Sequence, residues 1–500
     1  MNQQENAVQA VTPISQPEIP FIKPDNRSFS LNPLLAKSKA GDRAKWLTQY
    51  FGAAYVTNDE ARSIYVYDGS LWEYFSQEKI EYLAAQMLDY AGVDITETDA
   101  PAIYKVIRQR NPRMGVTPEY LIAFKNGVFD MQTATFRPAT PHDWLITQNG
   151  IRWSTPHKNE SLSEHAPHFY KWLSFVRYDS EEREEALLAL LYMVLTCRNN
   201  WHLFPCLSGV GGSGKSVLMG ILLMLAGEHN SQAISVDSLG GDFGLEHLIS
   251  ARLLLGGEVP AKLSRKVVNL IKAISGGDMV YINKKGKTAV SAVLRAIFVF
   301  AGNEPFDFGV IDSGLERRAV NFGFSRAVPD SMKDDQLLSK IAAELPVVIR
   351  HLLKRFPVAD MAKQALIRQR DGAEAKRVKY EGSPLERFLS SLEIDQYASL
   401  SGRNGMFWNA PGHKGTGIYR YERQYVYHAY LSFCDYEGIK PSLTVAEIRS
   451  AINYRFADNL RTGKGSGNQT ITNLRVRDDA EYLTCPDSPQ QTVVTFPGKK

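Results

Sequence analysis

Read for the spacing of apolar and polar positions, the chain falls into blocks. Residues 1–40 show no apolar period and are rich in Gln, Asn, Pro and Ser, as in a disordered leader. From about residue 42 the pattern becomes globular. Leu71–Tyr90 keeps apolar residues at helical spacing, and a second such run lies around Ala102–Arg110. In YLIAFKNGVFDMQTATFRPATPHDWLI two strand-like runs flank Lys125-Asn126-Gly127, where Asn-Gly favours a tight turn. Residues 154–168 are polar, with two prolines and three histidines, and read as a linker. HFYKWLSFV and EEREEALLALLYMVLTC then read as helices.

The short apolar run Trp201–Leu207 leads into a glycine loop, and from there to Phe324 strands alternate with helices, as in an α/β core. Residues 331–356 look helical, Met361–Tyr380 reads as a charged, Ala-rich helical linker, and Gly382-Ser383-Pro384 marks a boundary. The expected organisation is a leader (1–40), an N-terminal α+β domain (41–155), a helical collar or linker (165–200), a motor (201–355) and a small C-terminal domain (385–482).

Composition narrows this only modestly. The 500 residues are 44% hydrophobic and 22% charged, ordinary values for a globular protein, and the formal charge is +4, so contacts with nucleic acid must come from local patches. The four cysteines (Cys197, Cys206, Cys434, Cys485) form no C-x-x-C pair, which points away from zinc and disulfides and towards a reducing, cytoplasmic setting. The first residues lack a signal-peptide pattern, and no run of about 18 apolar residues exists to span a membrane.

The sharpest chemistry lies in FPCLSGVGGSGKSVLMGILLMLAG. Gly209, Gly214, Lys215 and Ser216 satisfy G-x-x-x-x-G-K-S between an apolar strand and an apolar helix. Such a loop (Gly209, Val210, Gly211, Gly212, Ser213, Gly214, Lys215, Ser216, with Val217 following) turns its N–H groups towards phosphate. The helix start adds its positive dipole end. Lys215 is placed for the β- and γ-phosphates, and the Ser216 hydroxyl for Mg²⁺. ATP and Mg²⁺ are the expected ligands. A chance glycine turn would have no reason to sit between that strand and that helix.

The residues after the loop extend the pattern. The apolar run Leu253–Leu255 in the segment Ala251–Gly257 leads to Glu258, a carboxylate suited to bind Mg²⁺ or polarise the attacking water; its ordinary alternative is a surface Glu before Pro260. The strand Arg295–Ala301 ends near Asn303, which fits contact with the γ-phosphate or the water; the alternative is a turn Asn. Arg317 and Arg318 suit an arginine finger acting on a neighbouring subunit, or a salt-bridged surface pair. Gly276–Thr288 reads as a β-hairpin with Lys284, Lys285 and Lys287 at its tip, suited to a phosphate backbone, or as edge-strand lysines that deter aggregation.

This compact order of parts resembles the superfamily III helicases, the AAA+ ring helicases of viruses, phages and plasmids, and most of all the poxvirus and satellite-phage primase-helicase branch. FKNGVFDMQTATFRPATPHDWLI and FYKWLSFV…EALLALLYMVLTC resemble the part of that family just before the motor. The resemblance implies an α/β fold: an AAA+ P-loop NTPase core with an N-terminal α+β/helical domain and a C-terminal winged-helix-like domain. It implies a hexameric ring, ATP bound between neighbours, and pore lysines (Lys284, Lys285, Lys287) tracking single-stranded DNA. Lys215, Ser216, Glu258, Asn303 and Arg318 are the matching positions, with Arg317 the rival finger. Two departures stand out. Gly257 precedes Glu258 where many members carry two acidic residues, which leaves open how metal binding and water activation are divided. The roughly 120 residues before Tyr120 are too few for a primase domain, so a separate primase is an expected partner.

Ser442–Phe456 reads as a helix capped by Thr444. A basic Gly-rich loop (Arg461, Lys464) and the extended run Thr470–Arg477 follow, the order of a winged helix. It suits duplex DNA, or a small docking domain. The sequence therefore predicts an ATP-dependent helicase acting on single-stranded and forked DNA at a bacterial or viral replication site. An ATP-switched origin-binding initiator and an AAA+ protein remodeller are the competing readings; lysines rather than an aromatic at the hairpin tip speak against the remodeller.

Overall fold

A computed structural model describes residues 37–483 except 58–61, 236–238, 240–244, 246–247, 249–250, 258–263, 285–286, 307–312, 399, 401–404, 409–420 and 465–468. The expected leader lies almost wholly outside the described residues.

The first globular part packs helices Ala40–Tyr50, Gln77–Tyr90 and Asp99–Arg110 with an antiparallel meander of Ala54–Val56, Ile64–Tyr67 and Trp72–Phe75. The single helix expected over Leu71–Tyr90 therefore opens as a strand, Trp72–Phe75, and is helical only over Gln77–Tyr90. Trp72 and Phe75 are three apart and both buried, which imitates a helical turn, yet Tyr67 and Ile64 face them across the ladder. The helix begins only after Ser76, whose hydroxyl accepts the Lys79 N–H at 3.1 Å.

A second meander, Leu121–Phe124, Gly127–Asp130 and Thr135–Arg137, follows, with Lys125-Asn126 as the tight turn that the Asn-Gly pair predicted. The stretch 154–168 does not hang free. Arg350 donates to Glu160 through Nε at 2.8 Å and to the Ser154 carbonyl through Nη1 at 2.8 Å, tying the stretch to helix Leu337–Arg355.

The centre is a five-stranded, all-parallel sheet. Its strands are β1 (Phe204–Gly209), β2 (Ser231–Ala233), β3 (Leu253–Gly256), β4 (Ile297–Gly302) and β5 (Ala319–Phe324), in the spatial order β5-β1-β4-β3-β2. Both faces are covered, so the strands read as continuous apolar runs. Val299, Val320 and Phe322 join the helices Glu181–Leu195 and Lys215–Ala226 on one face; Phe204, Phe298 and Phe300 join helix Arg265–Gly276 on the other.

Met361–Tyr380 proves to be packed rather than a linker. It forms helices Ala359–Asp371 and Ala373–Gly382, burying Ala362, Ala365 and Leu366. Gln369 Nε2 donates to the Asn321 carbonyl at 2.9 Å, and the Glu374 carboxylate accepts the Gly323 N–H at 2.7 Å. The pair thus covers the outer edge of β5, which would otherwise lie open. Small alanines supply the buried stripe, so the charged composition conceals it.

The last part holds helices Pro384–Ser390, Val426–Tyr436 and Val445–Arg455. Leu392–Ile394 pairs with Leu474–Val476, while Thr470–Thr472 pairs with both Met406–Phe407 and Thr462–Lys464. The Thr444 cap is a full capping box with Glu447.

Candidate nucleotide site

The glycine loop Gly209–Ser216 leaves the C-terminal end of β1, an interior strand between the edge strand β5 and β4. The chain runs from β1 to the far edge at β2, returns through β3 and β4, then crosses to β5 on the other side. β1 is thus where the strand order reverses, and in open parallel sheets ligands bind at the strand ends of such a point.

Gly209 has φ 138°, and a Cβ there would stand 2.0 Å from the Phe324 carbonyl oxygen, so β5 leaves room only for glycine. Gly212 (φ 68°) and Gly214 (φ 95°) are left-handed, and Gly214 opens helix Lys215–Ala226. The Val210 N–H is bound to Phe324 O, and Leu218 N–H to Gly214 O. Among the described residues, nothing accepts a hydrogen bond from the N–H groups of Gly211 through Val217. That run of free donors at a helix start is an anion nest.

The Lys215 ammonium folds back on the loop, donating to Gly209 O at 2.5 Å and Val210 O at 2.8 Å. Burial lowers its pKa. Ser213 is buried and donates to Val210 O at 2.7 Å, holding the bend, while Ser216 is exposed. Trp172 and Val176 back the loop: a Cβ on Gly214 would meet Val176 Cγ1 at 3.2 Å and Trp172 Nε1 at 3.3 Å. The sequence assigned Trp172 only to a collar helix, since no spacing rule links it to a loop some 40 residues later.

Neighbouring strand tips reach the same edge. Gly302 pairs in register with Ser208, so the exposed Asn303 stands level with Gly209. β3 ends at Gly256 beside Phe300; Glu258, two residues further, lies outside the described residues.

The arginine pair lies elsewhere. Arg318 immediately precedes β5, and its carbonyl accepts the Phe204 N–H at 2.9 Å, at the N-terminal edge of the sheet. The Arg318 guanidinium donates to Lys272 O at 2.7 Å and Ser275 Oγ at 3.0 Å, closing the end of helix Arg265–Gly276. Arg317 is exposed, and among the described residues its guanidinium has no partner.

The hairpin is Met279–Lys284 paired with Lys287–Val293, with Lys284 opposite Lys287. Lys285 lies outside the described residues. The hairpin leaves helix Arg265–Gly276 and returns to the start of β4, so it is rooted at the same edge as Arg318, opposite the glycine loop. In the C-terminal part Arg461 and Lys464 are exposed; Arg461 Nη2 donates to Gln396 O at 2.6 Å.

Two family models match parts of this chain. "D5 N terminal like" covers residues 44–176, and a family of unknown function (DUF5906) covers residues 207–318, from late β1 to the arginine pair. The "Putative helicase L207/L206" of Acanthamoeba polyphaga mimivirus is 27% identical over 177 residues, which is 31% of this chain and 18% of that protein. The match thus spans under a fifth of the curated relative. Among solved structures, the apo A form of the NrS-1 C-terminal region aligns over 88% of this chain and 99% of its own, at 14% identity and TM-score 0.48. The phage P4 origin-binding domain aligns over 19% of this chain and 88% of its own, at 22% identity and TM-score 0.16. By sequence, the chain is similar to a helicase-type viral protein, and its core is a mixed α/β unit on a parallel five-stranded sheet. Among the described residues, no helix is long and apolar enough to cross a membrane.

Proposed function

We propose that this chain is an ATP-hydrolysing DNA helicase that serves replication of a phage, plasmid or integrated mobile element. The observation that carries the reading is the nest of free N–H groups at Gly211–Val217, set at the strand-order reversal with Asn303 level beside it. The triphosphate lies along the nest. The Lys215 ammonium exchanges the loop carbonyls for phosphate oxygens, and Asn303 orients the attacking water. Ser216 and Glu258 would hold Mg²⁺, which would neutralise charge on the phosphates. Because the arginine pair occupies the opposite edge, a finger from it serves the site of an adjacent subunit, as a hexameric ring allows. Lys284, Lys285 and Lys287 follow the backbone of single-stranded DNA through the ring, and Arg461 and Lys464 add contacts to the fork.

The test is strand displacement on forked DNA of both polarities, with and without ATP. ATP-dependent displacement is expected, and it disappears when Lys284, Lys285 and Lys287 are all replaced by alanine while basal ATP hydrolysis persists. Unwinding that survives the triple substitution refutes the translocation role of the hairpin.

A further inference from the structure

A second surface touches the phosphate loop from the side away from Asn303. β5 ends at Phe324, whose carbonyl accepts the Val210 N–H at 3.0 Å; beyond it Val328 N–H donates to Gly212 O at 2.8 Å. Residues 325–327 therefore run alongside the loop, and the exposed Arg326 is at their centre. Its guanidinium carbon lies 4.9 Å from the Tyr178 ring centroid, and its backbone N–H donates to Tyr178 Oη at 3.4 Å. Among the described residues, no carboxylate pairs with Arg326.

The ring beneath it is firmly placed. Tyr178 (φ 55°) and Asp179 (φ 61°) both take the left-handed conformation, which costs energy for residues with side chains and persists where surroundings enforce it. The buried Arg183 lies 4.6 Å from the same ring. Arg183 is itself fixed by Val176 O at 2.7 Å, Gly323 O at 2.9 Å and the Glu374 carboxylate.

The direction of a bound nucleotide follows from the strand order. β4 and β3 lie on one side of β1, and they carry Asn303 and the chain towards Glu258, the groups suited to the terminal phosphate. A triphosphate with that end towards β4 sends its nucleoside across β1 towards β5. Arg326 and Tyr178 stand there.

We propose that Arg326, held over Tyr178, forms the platform on which the base of a bound nucleoside triphosphate stacks. The proposal rests on reading Gly209–Ser216 as a phosphate loop. A guanidinium plane stacks on an aromatic face, and base stacking gains affinity without a hydrogen-bond pattern. The subsite therefore takes nucleoside triphosphates as a class.

The test is calorimetric titration of the full chain with Mg²⁺-ATP and, separately, Mg²⁺-tripolyphosphate, which has phosphates but no base. Wild type is expected to bind ATP more tightly than tripolyphosphate. Arg326→Ala and Tyr178→Ala weaken ATP binding about tenfold and leave tripolyphosphate binding unchanged, while Tyr178→Phe keeps wild-type affinity for both. Arg326 is exposed, so its alanine variant retains the fold even if Tyr178→Ala does not. Equal weakening of both ligands, or unchanged ATP binding in Arg326→Ala, overturns the platform. Wild type that binds neither ligand overturns the phosphate-loop reading itself.

Discussion

Lys215 and Arg318 occupy opposite edges of one sheet: Lys215 follows the C-terminal end of β1, and the Arg318 carbonyl accepts the N–H of Phe204, which begins it. At about 3.3 Å per residue, the length of β1 separates the two levels by roughly 16–20 Å. No arginine side chain spans that gap within one subunit.

The geometry divides the work of the arginine pair. Arg318 is committed to Lys272 O and Ser275 Oγ, whereas Arg317 is exposed. Arg317→Ala is expected to lower ATP turnover by about a thousandfold with an unchanged melting temperature. Arg318→Ala should lower the melting temperature, because helix Arg265–Gly276 loses the donor at its end. Mixing supplies the decisive measurement. Lys215→Ala subunits and Arg317→Ala subunits, each inactive alone, should regain turnover when combined, since an intact nucleotide loop then faces an intact arginine. If every mixture stays inactive, action across subunits is refuted.

How much of this was legible in the sequence differs from residue to residue. The strand, glycine turn and helix around Gly209–Ser216 were, because Gly209, Gly212 and Gly214 act through local backbone geometry that a short motif encodes. The strand at Trp72–Phe75 was not, since two buried aromatics three apart satisfy both a helix face and an irregular strand. Packing of Met361–Tyr380 on β5 was hidden because its contacts, Gln369 to Asn321 and Glu374 to Gly323, are long-range and polar. Nothing in the spacing separated Arg317 from Arg318; only the tertiary placement of helix Arg265–Gly276 does.

Gly209 and Gly211 belong to one loop yet answer to different constraints. An alanine methyl at Gly209 would lie 2.0 Å from the Phe324 carbonyl oxygen, while one at Gly211 would meet nothing within 4 Å. Gly209→Ala should therefore push β5 from β1 and cost about 3 kcal/mol of stability, whereas Gly211→Ala should stay within about 0.5 kcal/mol of wild type. Urea unfolding of both variants measures the difference. Equal stabilities would mean that β5 does not press on the loop as closely as the structure shows.

Glu160 and Arg350 give the fold an acid-sensitive fastening. Arg350 holds the Glu160 carboxyl below its ordinary value of 4.5, chiefly by hydrogen bonding. A carboxylate with a depressed folded pKa stabilises the native state fully above its unfolded value, and that contribution drains away as pH falls through the folded value. Both side chains are largely buried, so removing the charge of one leaves the other poorly compensated. Glu160→Gln is therefore expected to be about 2 kcal/mol less stable than wild type near neutral pH. As pH falls through the depressed folded value the two should converge, because wild-type Glu160 then takes up the proton that the amide variant never needed. Thermal unfolding of both proteins between about pH 7 and pH 3 follows the gap. A gap that stays constant down to the acid end would show that Glu160 acts there through shape alone, and that its charge does not hold residues 154–168 to helix Leu337–Arg355.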